Sequence, residues 1–198
     1  MKSFILAVVC AMCVTSVVSA KTWKGTQVLT VIAADNVEVN DWLALRGSAH
    51  LFWIPGDGTM QYFGYVGPRF NVNDWFWTSP QIGVAGNWSP DGTDAFLASI
   101  WNGFTFLNGD LFMLAEGDVF IYDGQIDYYG YYFLDYSQEV KVGRLAIGPQ
   151  IEHVNTDFIG GVHGTLYTKS GPFFSVQYYL ALKGELEQTL RFVLGLFY

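Results

Sequence analysis

With 198 residues the chain is long enough for one domain, and its net charge of −8 argues against nucleic acid or an anionic membrane surface as a partner. Aromatic residues make up 18% of it and charged residues only 14%, whereas a soluble domain normally carries charge on about a quarter of its residues. No stretch after residue 20 is long and apolar enough to span a membrane as a helix. The apolar surface must then be packed in a core or shown to lipid by a closed barrel.

Residues 1–20 read as a secretory signal peptide. Met1-Lys2 is a short basic start, Phe4 to Val18 is almost wholly apolar, and Val18-Ser19-Ala20 offers small residues for cleavage near Ala20. A membrane anchor is the rival reading, but the run is short for one. Both cysteines, Cys10 and Cys13, lie in this segment, and Val9 and Met12 before them do not suit lipoprotein processing. Cleavage leaves a chain without disulfides or thiol chemistry, and loss of Lys2 makes its charge more negative. Residues 21–40 show no clean period, and Asp35-Asn36 suits either a helix cap or a turn. They read as an N-terminal segment that packs against the barrel or plugs it.

From Asp41 the chain falls into units of roughly 14–18 residues, each closed by turn chemistry. The breaks are 55–58, 71–74, 89–92, 108–110, 123–124, 137–139, 155–157, 169–172 and 183–185, all rich in Gly, Asn, Asp, Ser or Pro. Strands are therefore expected at 41–54, 60–71, 75–88, 94–107, 110–122, 125–136, 141–153, 157–168, 173–183 and 188–198. Alternation follows one rule along most of them. Leu43, Leu45, Leu51 and Trp53 share a face opposite Arg46, Ser48 and His50, and Leu111, Met113, Val119 and Ile121 oppose Glu116 and Asp118. Residues 94–107 break the rule, which suggests a bulge near Asn102-Gly103. Aromatics gather near strand ends, with Trp53, Tyr62, Trp88, Tyr128 and Phe158 at one rim and Phe70, Phe76, Tyr136, Phe174 and Tyr198 at the other. Two such girdles are what membrane interfaces select.

The last strand carries the most specific signal. Leu190, Phe192, Leu194, Leu196 and Tyr198 form a wholly apolar face ending on an aromatic residue. This resembles the C-terminal strand of bacterial outer-membrane β-barrels, where the pattern is an assembly signal. The resemblance implies an all-β fold, a closed antiparallel transmembrane barrel. The nine breaks make it about ten strands, or eight if a hairpin near 94–122 is misread, with short turns at both ends where this class usually has longer extracellular loops. It implies residence in the outer membrane of a Gram-negative bacterium, the barrel-assembly machinery as a partner during insertion, and outer-membrane lipid and lipopolysaccharide as neighbours. An even strand number would put both chain ends, and residues 21–40, in the periplasm. The acidic turns at the other end (Asp57, Asp91, Asp94, Asp123, Asp157, Glu185, Glu187) are then either solvated or bridged to lipopolysaccharide phosphates by cations. The rival is a soluble lipocalin-like barrel, apolar inside. Sparse, mutually balanced charges along the strands speak against it.

With this parity Arg46, His50, Arg69, Glu116, Asp118, Arg144, Glu152, His163 and Arg191 point inward. Charges sharing a confined interior must pair, so they form either a plug or the lining of a narrow solute path. Glu116 and Asp118 suit a coupled acid pair or two acceptors for arginine. Some small outer-membrane barrels are lipid A acyltransferases or deacylases using His with Ser and an acidic residue, but His163-Gly164-Thr165 lacks the serine. No cofactor is expected, no cluster has metal-ligand spacing, and the glycines are those of strands and turns. The function expected is a non-enzymatic barrel with a filled or very narrow charged interior, with a lipid-modifying enzyme as the alternative. That alternative draws on Pro68 and Pro80, which fall inside consecutive strands where a closed barrel has no free edge to excuse them. They mark either two bulges or a weakened seam, as in lipid-modifying barrels that admit an acyl chain sideways.

Overall fold

The computed structural model describes residues 25–56, 58–88, 94–184 and 188–197. Among them eleven strands close into one barrel. These are β1 (Gly25–Asn40), β2 (Leu43–Ile54), β3 (Thr59–Asn73), β4 (Phe76–Asn87), β5 (Asp94–Phe106), β6 (Leu111–Tyr122), β7 (Gln125–Val140), β8 (Gly143–Val154), β9 (Asp157–Thr168), β10 (Pro172–Lys183) and β11 (Thr189–Phe197). Neighbours in sequence pair antiparallel, and β1 closes the ring by pairing parallel with β11 from Gly25↔Thr189 to Ala33↔Phe197. Closure leaves no edge with unpaired backbone groups.

The ten segments expected from the sequence correspond to β2 through β11, except that the break expected at 137–139 lies inside β7, whose turn into β8 is Lys141-Val142. The barrel also has an eleventh strand, neither ten nor eight. Residues 21–40 read as a segment that packs against the barrel or plugs it; instead Gly25–Asn40 is a strand of its wall. The physical reason is visible in its faces. Gln27, Leu29 and Val31 line the interior while Ile32 is exposed outside, so apolar residues fall on both faces and no period of two shows. The odd count also removes the expectation that both chain ends share a rim. Gly25 lies at the rim of the 55–58, 123–124 and 155–156 turns, and Phe197 lies at the opposite one. The signal segment and Tyr198 fall outside the described residues, as do Asp57, Asp91, Glu185 and Glu187 of the acidic turns.

The described turns are tight at both rims. Asp123-Gly124 connects β6 to β7 with φ of 45° and 75°, the left-handed pair that a two-residue hairpin requires. The bulge expected near Asn102-Gly103 is absent, because β5 keeps unbroken register with both neighbours. Trp101 is buried inside and Asn102 lies on the outer face. Gly103 is the residue that permits this, since a Cβ there would collide with the Trp77 indole. Register shifts occur instead at Ala34/Val37 and Glu38/Asn40 in β1, at Asn71/Asn73 in β3 and at Ala181/Lys183 in β10.

Polarity is inverted relative to a soluble barrel. Ser79, Gln81, Ser99, Glu116, Asp118, Asp135, Gln150, Glu152, His163, Gln177 and Arg191 are buried inside. Ile82, Val84, Ile100, Leu180 and Leu194 stand exposed on the outer face. One rim carries Trp53, Trp88 and Tyr128, with Trp88 edge-on to Tyr62. The other carries Trp42 stacked on Phe70, and Trp75 packed with Phe76, Phe104 and Phe106. The interior is itself divided. An aromatic wall on β3 to β7 is built from Tyr65, Trp77, Leu97, Trp101 and Leu114 with Phe63, Phe112, Phe120 and Phe133. The wall on β8 to β11 is polar.

Candidate functional site

The interior encloses a cavity of about 1050 Å³ whose lining reaches from Ile54 and Tyr122 at one rim to Gly109 and Arg144 at the other. All nine charged or histidine side chains singled out from the sequence contribute to that lining. The space is not filled by them as a plug would require. They gather in distinct groups because inward positions at matching levels meet, across one or two intervening strands as well as between neighbours.

The first group lies on the polar wall. Arg191 of β11 meets Glu152 of β8 fork to fork, with Nη1 to Oε1 at 2.5 Å and Nη2 to Oε2 at 3.0 Å. Arg191 also donates through Nε to Gln27 Oε1 at 3.0 Å, and its guanidinium lies 5.1 Å from the Phe52 ring centroid and 4.9 Å from that of Tyr179. Tyr179 donates its hydroxyl to Glu152. Gln177 extends the network to Tyr131, and Tyr131 donates to Gln150 at 3.3 Å. Burying two charges costs several kcal/mol each unless geometry and further hydrogen bonds offset it, and this pair has both.

The second group faces it across the cavity. Asp118 accepts the hydroxyls of Ser99 and of Tyr65, the latter at 3.0 Å. Glu116 is buried two residues away on the same face. The Arg46 guanidinium lies over Trp101 at 4.4 Å and over Trp77 at 5.0 Å, and Arg69 covers Trp77 at 4.5 Å. Cations over indole faces gain attraction from the ring quadrupole, more so away from water. His50 packs against Tyr65 and Trp101 with centroids 5.4 and 6.1 Å apart.

The third group centres on Asp135, which holds His163 Nε2 and accepts the Tyr167 hydroxyl at 3.1 Å. Phe133 sits edge-on to the imidazole. A hydrolytic triad needs a serine on the second imidazole nitrogen, and His163 Nδ1 has no hydrogen-bond partner among the described residues. The nearby hydroxyls are occupied with each other, Thr165 donating to Ser175 at 2.7 Å. Arg144 stands apart at the rim, bonded to the Gly109 carbonyl and to Asp110 at 3.4 Å. His153 is on the outer face, stacked on Tyr132. Among the described residues no three acidic, histidine or cysteine side chains are grouped to hold a metal ion.

Asp135, Tyr131, Tyr179 and Gln27 belong to these networks and were not anticipated. In β7 the stretch Asp127-Tyr128-Tyr129-Gly130-Tyr131-Tyr132-Phe133 puts aromatics on both faces, which hides the parity that would have exposed Asp135. Gln27 was hidden with its strand. In β11, Leu190, Phe192, Leu194 and Leu196 face outward, whereas Thr189, Arg191 and Val193 are buried inside. Pro68 and Pro80 lie on the outer face at the same level of β3 and β4, where the ladder between the two strands is interrupted. Compared with known proteins, the chain matches no family model, no curated protein and no solved structure.

Proposed function

We propose that the protein is an integral barrel of a Gram-negative outer membrane, non-enzymatic, whose interior is a polar-and-aromatic binding chamber. The observation that carries this reading is the inverted polarity: ion pairs and amides are enclosed, while isoleucine, valine and leucine stand bare on the outside. In water, an apolar surface of this extent drives association; in lipid it is the required exterior, with aromatic side chains at both interfaces. The signal segment expected at residues 1–20 and the outward apolar face of β11 support export and recognition by the assembly machinery. The Phe197 end is then the periplasmic rim, and the opposite rim, with Asp94, Asp123 and Asp157, meets lipopolysaccharide.

The chamber is favoured over a conducting path because two pairs of inner charged groups bridge its wall. Arg191 of β11 with Glu152 of β8, and Asp135 of β7 with His163 of β9, tie non-adjacent strands across the space a solute would use. Among the described residues no hydroxyl is assembled on His163 Nδ1, which gives the lipid-modifying alternative no support. Fractionation with heat-modifiable gel migration tests the membrane reading: the protein should be found in outer membranes, and recovery as a soluble periplasmic species overturns it. Planar bilayers test the chamber: it predicts no sustained conductance, and discrete charge-selective openings would replace it with the narrow channel.

A further inference from the structure

We propose that the seam between β3 and β4 is a lateral portal, through which a fatty acyl chain of a membrane lipid enters the barrel and lies along its aromatic wall. This rests on the membrane reading above and adds the class of ligand and its route. The ladder between these strands is regular from Gln61↔Asn87 to Val66↔Ile82 and resumes at Phe70↔Thr78. Between those points Gly67, Pro68 and Arg69 face Gln81, Pro80 and Ser79 with no paired register. On their other sides the same residues are held, Pro68 opposite Leu45 of β2 and Pro80 opposite Ile100 of β5. The interruption therefore belongs to this one seam. Neither proline has an N–H to give, and the Ser79 hydroxyl donates to the Pro68 carbonyl at 2.8 Å where the ladder is interrupted.

What lies on each side of the seam specifies the visitor. Outside, Val66 and Ile82 form exposed apolar lips, 58% and 57% accessible. Inside are Tyr65, Trp77 and Trp101, continuous with Leu114, Phe112 and Phe133 along the cavity. An acyl chain crossing here passes from lipid to the faces of Trp77 and Trp101, beside which the Asp118 carboxylate is held by the Ser99 and Tyr65 hydroxyls. Arg46 and Arg69, spread over Trp77 and Trp101 at the same level, supply positive charge for the acidic or ester head that follows. Gln81 marks the closed state. It is only 4% accessible, and neither its amide nitrogen nor its oxygen has a partner among the described residues. Buried polar groups are rarely left so, and parting of the strands relieves it. A second interruption, between Leu134-Asp135 and Gly148-Pro149, does not share these properties. It contains one proline and opens on the Asp135–His163 pair, not on an indole face.

The test uses a disulfide across the lips. No cysteine follows Cys13, so Val66→Cys with Ile82→Cys gives a single reversible lock in the exported protein. Ala98→Cys with Val119→Cys, an outward pair on the regular β5–β6 seam, is the control. Each protein is refolded into vesicles, stripped of lipid in detergent, and offered phosphatidylglycerol or lipid A. Bound lipid is then counted by native mass spectrometry. The expected result is one lipid taken up by the reduced lock and by the oxidised control, with uptake by the oxidised lock slowed at least about tenfold, equivalent to about 1.4 kcal/mol of barrier. Whichever of the two lipids binds identifies the source of the chain. Equal uptake by the oxidised lock, or embedded protein that takes up neither lipid, overturns the portal and leaves the barrel in the membrane. Failure of every variant to embed, with the protein folded and soluble, overturns both readings together.

Discussion

Replacing Arg191 by methionine removes the centre of the polar wall while keeping an unbranched side chain of similar length. Glu152 would then lose both bonds of its fork, at 2.5 and 3.0 Å, and keep only the Tyr179 hydroxyl as a donor in this network. The carboxylate and guanidinium side chains are only 6% and 9% accessible, so solvent cannot take over. Leaving one member of a buried pair alone costs about 3–5 kcal/mol. That is a large part of the ~5–15 kcal/mol by which a domain is stable. The double replacement Arg191→Met with Glu152→Met removes both charges. It orphans Gln27 Oε1, at ~1–3 kcal/mol for an unsatisfied buried group, while Tyr179 retains Gln177 at 3.2 Å. The double variant should therefore be more stable than the single one. Urea unfolding from lipid vesicles, followed by the fluorescence of the tryptophans, measures both. A single variant that loses less than ~1 kcal/mol, or a double variant less stable than the single, refutes the claim that the pair is desolvated and mutually dependent.

Ile100→Lys on the outer face of β5 should destabilise the vesicle-embedded protein by about 2–4 kcal/mol if that face meets lipid near mid-depth. A change within about 0.5 kcal/mol, the usual tolerance of a water-exposed site, would argue for a soluble barrel. Asp135→Asn weakens the acceptor shared by His163 and Tyr167 and should cost about 1–3 kcal/mol by the same urea measurement. An unchanged midpoint would show that this network does not bear on stability. Gly161→Ala places a Cβ 2.7 Å from the Tyr178 carbonyl carbon and 2.9 Å from Tyr179 Cα, backbone that cannot swing aside. A loss of about 1–3 kcal/mol is expected, and wild-type stability would mean that the β9–β10 approach is looser than described. Deleting Phe197 and Tyr198 should leave unfolded protein in the periplasm, detected by protease sensitivity; normal insertion of the truncation would remove the assembly role of the terminal strand.

The barrel wall from Leu43 onward was legible because most strands carry an apolar outer face and most end in residues with turn chemistry. The period of two is local, so Arg46 opposite Leu45, or Glu116 opposite Ala115, can be read without knowing any neighbour. The first strand was not legible for the converse reason. Leu29 and Val31 face inward and Val28 and Ile32 outward, so its place is decided by pairing with β11, about 160 residues away. Parity likewise told which side Asp135 occupies only once the aromatic run in β7 was registered against β8 and β6. Prolines at 68 and 80 announced two local defects, but only the β3–β4 register makes them one interrupted seam. Partnerships were beyond the sequence altogether. Arg191 could have met Glu116, Asp118, Asp135 or Glu152, all of which face inward, and closure of the barrel places it against Glu152. Alternation along a strand is set by the covalent backbone and is written locally; closure, register and the pairing of inward charges depend on distant segments meeting, and are settled only when the whole sheet has formed.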